Sequence, residues 1–110
     1  MASDPLFRVR IGKAQVTFLL GDGDDPATVE NVDAELTLED GTRWSATFLT
    51  LREVGEILDR WKDSGEFLSG GYLRVPDLII TREAGLAAMT AALEDILAAG
   101  VEGVLVRLAE

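Results

Sequence analysis

The first part of the chain alternates apolar and polar residues, which is the pattern of β-strands with one buried face. Residues 7–11 and 16–20 each place apolar side chains at every second position. A two-residue type II′ turn at Gly12-Lys13, with Gly first, brings the apolar positions of the two strands opposite one another. The predicted partners are Ile11 with Ala14, Val9 with Val16 and Phe7 with Phe18.

A second hairpin is predicted from residues 32–38 and 43–48, which alternate in the same way. A two-residue turn at Asp40-Gly41 would set apolar residues against polar ones. A three-residue loop that also includes Glu39 aligns the apolar positions, and a slip of one residue would turn every side chain to the other face. The pattern therefore selects the longer loop, with Gly41 in the left-handed conformation. The predicted partners are Leu36 with Trp44, Ala34 with Ala46 and Val32 with Phe48.

Two later segments repeat apolar residues every three or four positions and are predicted to be helices. Thr50 and Glu53 form a capping box at the start of the first helix, and Gly65 ends it. The second helix is predicted from Arg82 to Ala99 with Thr81 as its N-cap. The predicted core faces are Leu51, Val54, Ile57, Leu58 and Trp61 in the first helix, and Leu86, Met89, Leu93, Ile96 and Leu97 in the second.

Shorter strands are predicted at 72–75, at 78–80 and from Val104 to Leu108, which gives the order ββββαβαβ. The chain is predicted to be a single α+β domain, residues 1–110. Its sheet is mostly antiparallel, with four N-terminal strands plus one to three later strands. Two helices are too few to cover both faces of such a sheet, so we expect both to pack on one face. The other face would be open and polar, with Arg8, Arg10, Gln15, Thr17, Asp33, Glu35, Arg43, Ser45 and Thr47.

The composition excludes several kinds of chemistry. The chain has no His and no Cys, so an imidazole base, a thiol nucleophile and zinc sites built from nitrogen or sulfur are not possible. Glycine-rich phosphate-binding motifs are also missing. We therefore predict no catalytic residue, no cofactor and no metal.

The chain has no apolar run near the roughly 20 residues that a membrane span needs and no signal-peptide pattern, so we expect a cytoplasmic protein without membrane contact.

The acidic residues are concentrated in one segment. Residues 21–40 contain eight carboxylates and no Lys or Arg, which accounts for most of the formal charge of −10. Scattered basic residues argue against nucleic-acid binding, whereas a local negative field attracts a basic protein. An EF-hand-like calcium loop starting at Asp22 would need Gly where Ala27 stands and Glu where Asp33 stands, so a flexible solvated loop is preferred. The predicted partner-binding residues are Asp22, Asp24, Asp25, Glu30, Asp33 and Glu35.

The irregular segment 66–77 is the alternative candidate. It could bind a small molecule, with or without catalysis, through a set of polar and glycine residues. A third alternative is a homodimer formed through the Ala-rich helix or the open sheet face, and a fourth is that the charge serves only solubility. The predicted residues of the ligand loop are Glu66, Gly70, Tyr72 and Asp77.

The segment from Gly41 to Thr81 resembles a group of small uncharacterised bacterial α+β proteins. The resemblance rests on the strand DGTRWSATF, the helix start TLRE, the loop SGEFLSGGYL and the strand DLII. Leu73 stands where the group has Phe. Some small acidic proteins of this architecture are immunity proteins that bind and block a toxin. The resemblance therefore implies a non-catalytic inhibitor of a basic toxin or nuclease, an implication by analogy of type.

Overall fold

A computed structural model describes residues 6–109 of the protein as one six-stranded sheet with three helices. Strands β1 to β5 are neighbours in chain order, and β6 pairs with β4 near the opposite end from β5. All pairings are antiparallel except that of β4 with β5. The strands are β1 Leu6–Ile11, β2 Ala14–Leu19, β3 Asn31–Thr37, β4 Arg43–Thr50, β5 Leu78–Thr81 and β6 Val106–Arg107. The helices are α1 Leu51–Ser64, α2 Glu66–Gly70 and α3 Leu86–Ala99. The predicted α+β class with a mostly antiparallel sheet is confirmed.

Both hairpin registers are confirmed. The first hairpin pairs Val9 with Val16, and Gly12 has a φ of 59° as the turn requires. The second pairs Leu36 with Trp44, and Gly41 has a φ of 85° in the three-residue loop. Matching apolar positions across the strands was therefore sufficient to determine the pairing.

The core lies between one face of the sheet and α3. Phe18 and Phe48 are fully buried at its centre, with ring centroids 6.1 Å apart. Met89 and Leu93 of α3 are also fully buried against this face. Helix α1 follows β4 directly, and its buried residue is Ile57. The remaining members of the core are Val16, Val29, Val32, Ala34, Leu36, Trp44, Ala46, Leu86, Val101 and Leu105.

The ends of α1 follow the predicted signals with one difference. Gly65 ends the helix at a φ of 82° and donates its N–H to the carbonyl of Trp61. Thr50 Oγ1 accepts the N–H of Glu53 at 3.1 Å, as predicted. The reciprocal half of the capping box is not formed, because the N–H of Thr50 donates to the carbonyl of Glu30. Leu51, predicted in the core face, is 66% exposed because it is the first helical residue as the chain leaves the sheet.

The predicted strand at 72–75 is wrong, and a short helical turn, α2, precedes that segment instead. Phe67, Leu68 and Ser69 all have positive φ between 45° and 54°. For residues other than glycine this conformation costs about 1–2 kcal/mol each. Consecutive left-handed residues have no signature in the hydrophobic pattern, so the sequence did not indicate this turn.

Two other boundaries are corrected. Helix α3 begins at Leu86 rather than Arg82, because Thr81 belongs to β5 and donates its hydroxyl to the carbonyl of Glu83 instead of capping a helix. The last strand is only β6, because the N–H groups of residues 104 and 105 both donate to the carbonyl of Val101 and hold a turn there. The hydrophobic pattern alone could not distinguish these turns from the helix and the strand that they adjoin.

Candidate binding site on the open sheet face

The open face of the sheet contains a shallow recess that we call the acceptor recess. It has a volume of about 250 Å³ and is formed by Asp33 of β3, Ser45 and Thr47 of β4, and Asp77. Asp33 is directly opposite Thr47 in the pairing of β3 with β4, so both side chains project from the same face. Asp77 comes from the turn that precedes β5 and reaches this face because β5 lies beside β4.

Asp77 is fixed by three hydrogen bonds to β4. Ser45 Oγ donates to its Oδ2 at 2.6 Å, and Thr47 Oγ1 donates to its Oδ1 at 2.8 Å. The N–H of Thr47 also donates to the Asp77 carbonyl at 2.9 Å. The carboxylate is therefore held in one orientation, half-buried, above the open face.

Asp33 approaches the same hydroxyl group. Its Oδ1 lies 3.2 Å from Thr47 Oγ1. A hydroxyl has one proton to donate, so it cannot satisfy Asp33 and Asp77 together, and the shorter contact is with Asp77. Within residues 6–109 neither carboxylate forms an ion pair. The recess therefore offers more acceptor capacity and negative charge than its own donors use.

Glu35 lies on the same strand face at the side of the recess. Its Oε2 accepts from Nη2 of Arg43 at 3.1 Å, and both side chains are 44% exposed. An ion pair this exposed contributes little stability. Either partner can therefore exchange this contact for one with another molecule at small cost.

Glu30 was predicted to bind the same partner, but its carboxylate is used within the fold. Arg52 of α1 binds both oxygens of Glu30, and Thr50 Oγ1 donates to Oε1 at 2.8 Å. The hydrogen bond from Arg52, with that from Thr50, lowers the pKa of Glu30 below its ordinary value of 4.5. Its charge is neutralised where strand β3, the end of β4 and α1 meet.

The carboxylates of the loop 21–28 mainly shape the loop itself. Asp24 Oδ2 accepts the N–H of Gly21 at 2.7 Å, and Asp25 Oδ1 accepts the N–H of Ala27 at 2.8 Å. Asp22 is exposed in the adjoining turn. The loop is solvated as predicted, but these turns and its attachment to α3 give it a defined path. Among the described residues, no group of three or more His, Cys, Asp or Glu side chains is arranged to hold a metal ion.

The attachment to α3 is made by two backbone hydrogen bonds of 2.8 Å. Gly85 N–H donates to the carbonyl of Val29, and Leu86 N–H donates to the carbonyl of Pro26. Gly85 has a φ of 99°, and a Cβ at this position would lie 2.5 Å from the carbonyl oxygen of Ala27. The close approach requires glycine.

The four residues predicted for the ligand loop lie in two separate places. The ring of Tyr72 packs edge-on against that of Phe67, with ring centroids 5.2 Å apart. The rings of Phe67 and Trp61 have centroids 4.9 Å apart. Gly70, with a φ of 83°, packs closely against the carbonyl of Leu58. Asp77 alone belongs to the acceptor recess, and neither Glu66, Gly70 nor Tyr72 lines it.

Sequence reasoning missed the contact of Asp77 with Ser45 and Thr47. The two hydroxyl residues were predicted on the open face, and Asp77 stands out in the sequence as an acid placed just before an apolar strand. The missing information was that β5 pairs in parallel beside β4, which brings together residues 30 and 32 positions apart.

Comparison with known protein families, with curated proteins and with solved structures finds no match to this chain. The resemblance of residues 41–81 to small bacterial proteins therefore stays a prediction. In the part of the chain that the structure describes, no helix has the length and apolar character to cross a membrane. Function is therefore inferred from the geometry of the site.

Proposed function

We propose that this protein is a non-catalytic binding protein of the immunity type, which neutralises a basic toxin or nuclease by covering its cationic surface. The docking surface is the open sheet face around the acceptor recess, with Asp33, Glu35 and Asp77 as the main acceptors. It works in the cytoplasm without a cofactor. The predicted role of Glu30 is not part of this surface, because its charge is paired with Arg52.

The observation that carries this proposal is the convergence of Asp33 and Asp77 on one Thr47 hydroxyl. A guanidinium or ammonium group would supply the missing donors and the missing positive charge at once. Arg is especially suitable, since its planar donors can bind a carboxylate through two parallel hydrogen bonds. A partner that projects Arg or Lys side chains therefore fits the recess better than an anion or a neutral ligand.

The charge of the whole chain supports the same partner. A formal charge of −10 on 110 residues creates a field that accelerates encounter with a basic protein, and salt weakens that field. The tip of the loop 21–28, with Asp22, adds long-range attraction even where its other carboxylates are engaged in turns. Fast, salt-sensitive association is the expected kinetic behaviour.

The test compares two double variants that change charge equally. Asp33→Lys with Glu35→Lys reverses the charge at the recess, and Glu94→Lys with Asp95→Lys reverses two exposed acids on α3. The tagged protein is used as bait in lysate of its native host at low and at high salt. The retained protein is then purified, and its association rate is measured with each variant.

We expect a basic protein to be retained at low salt and released at high salt. The sheet-face variant should slow association at least about tenfold, since steered and unsteered rates differ by one to three orders of magnitude. The α3 variant should have the smaller effect, because its charges lie outside the docking surface. Equal rates for the two variants would contradict docking at the recess, and retention of no basic protein at low salt would contradict the proposed function itself.

A further inference from the structure

A second and larger recess lies between the β3–β4 loop and the end of α3. Its volume is about 430 Å³, within the usual range for small-ligand sites. Trp44, 9% exposed, and Leu38 and Val101 line its apolar part. We call it the tryptophan recess. It shares no lining residue with the acceptor recess.

A chain of hydrogen bonds connects the indole to a carboxylate in this recess. Trp44 Nε1 donates to Thr42 Oγ1 at 2.9 Å, and Thr42 Oγ1 donates to Asp40 Oδ1 at 2.6 Å. The N–H of Thr42 donates to the same Asp40 oxygen at 2.9 Å. Since both bonds from Thr42 end on Oδ1, the second oxygen, Oδ2, keeps acceptor capacity for a ligand.

The recess also contains a positive charge, that of Arg107. Arg107 is directly opposite Trp44 in the pairing of β6 with β4, so both side chains project from the same face. Within the described residues Arg107 makes no ion pair with an acid. The hydroxyl and N–H of Thr42 lower the pKa of Asp40, and the charge of Arg107 adds to this effect. A cation and a carboxylate thus face the same space without contacting each other.

The end of α3 makes the other side of the recess negative. The carbonyl groups at a helix C-terminus carry partial negative charge. The last turn of α3 contains no basic residue to offset this charge. Glu102, which follows it, also lines the recess. The recess therefore combines two carboxylates and a helix C-terminus with one guanidinium and an apolar indole surface.

We propose that the tryptophan recess binds a free α-amino acid with an apolar side chain. Arg107 would bind the α-carboxylate, Asp40 and Glu102 would bind the α-ammonium group, and the side chain would lie on Trp44 and Leu38. A simple anion or cation would leave one of the two charge types unmatched, whereas a zwitterion matches both. This proposal does not depend on the docking function proposed for the open sheet face.

The test uses the fluorescence of Trp44. The chain has two Trp residues, so Trp61→Phe leaves Trp44 as the single indole. L-leucine is titrated as the zwitterionic probe, with leucinamide as the probe without a carboxylate and 4-methylpentanoate as the probe without an ammonium group. We expect saturable binding of leucine and at least about tenfold weaker binding of the other two, because each lacks a charge-assisted contact.

Variants in the Trp61→Phe background test which residue binds the carboxylate of leucine and which binds its ammonium group. Arg107→Gln should weaken leucine binding at least about tenfold and leave leucinamide unchanged. Asp40→Asn should weaken both, while Arg74→Gln, an exposed change outside the recess, should alter neither. The proposal is overturned if leucine changes neither the Trp44 emission nor the thermal midpoint at millimolar concentration, or if Arg107→Gln binds leucine as well as its parent.

Discussion

Glu30 and Asp33 are three residues apart in the same acidic segment, yet the fold uses them in opposite ways. Glu30 is bound by Arg52 on both oxygens and by Thr50, and its pKa is lowered as a result of these bonds. Within residues 6–109, the one side-chain contact of Asp33 is with the Thr47 hydroxyl at 3.2 Å, and this hydroxyl lies closer to Asp77, at 2.8 Å. One carboxylate stabilises a junction of elements, and the other remains available to a partner.

The difference shows that counting charges does not identify a binding surface. Arg52 is available to Glu30 because the capped start of α1 follows β4 immediately and places the guanidinium beside the start of β3. No basic residue is placed in this way beside Asp33 within residues 6–109. Whether a carboxylate is available to a partner thus depends on which side chains the neighbouring elements place beside it.

The largest expected effect on stability is that of Gly85→Ala, which would disrupt the contact between the loop 21–28 and α3. The added Cβ would meet the Ala27 carbonyl oxygen at 2.5 Å, in a backbone conformation that L-residues rarely adopt. We expect a loss of about 2–4 kcal/mol in the free energy of unfolding, since left-handed strain and a backbone clash add together. Urea unfolding measures this loss.

Gly103→Ala is the matched control for this prediction. Gly103 also has a positive φ, 82°, but a Cβ added there would meet no atom within 4 Å. Its substitution should cost only the strain, about 1–2 kcal/mol. Equal losses for the two variants would mean that the contact between the loop and α3 does not contribute to stability.

The intermediate effect is that of Arg52→Gln, which removes the cation from Glu30 and leaves the Thr50 bond in place. Because the folded-state pKa of Glu30 is lowered, the pair stabilises the fold above the ordinary pKa of 4.5. That stabilisation is lost as the pH falls through the lowered pKa. The thermal midpoint of the variant should therefore lie below that of the wild type at neutral pH, and the gap should close in acid.

Lys13→Gln provides the comparison for a pair that is almost fully solvated. Lys13 and Glu39 are 77% and 69% exposed, and such pairs contribute little. We expect a smaller change in thermal midpoint than for Arg52→Gln at neutral pH. A gap for Arg52→Gln that persists unchanged at pH values well below the ordinary pKa of 4.5 would contradict the assignment to the charge of Glu30.

The registers of two of the five described strand pairings could be predicted from the sequence, because each belongs to a hairpin whose register follows from local alternation. Matching apolar faces determined both hairpins, including the choice of a three-residue loop before Gly41. The capped start and end of α1 were predictable for a similar reason, since Thr50 and Gly65 act on adjacent backbone groups. These features depend on residues close together in the chain.

The candidate sites could be predicted only in part, because they depend on contacts between distant segments. The acceptor recess needs Asp77 beside Ser45 and Thr47, which follows from a parallel pairing that no local pattern encodes. The tryptophan recess needs Arg107 opposite Trp44, which follows from the two-residue strand β6. In both sites the residue types are visible in the sequence, and their association is not.

The smallest expected effect is also the one that separates Glu30 from Asp33 most directly. Asp33→Asn removes a negative charge beside Asp77 and adds N–H donors where acceptors are in excess, so stability should stay within about 0.5 kcal/mol of the wild type and any change should be a gain. Glu30→Gln should instead lower the thermal midpoint at neutral pH, because Arg52 loses the carboxylate that binds it through two nitrogen atoms and keeps only the exposed contact with Glu56. Both are measured by thermal unfolding in the same buffer. If Asp33→Asn destabilised the protein as much as Glu30→Gln, Asp33 would be a structural carboxylate like Glu30. The acceptor recess would then not offer a partner the charge of Asp33.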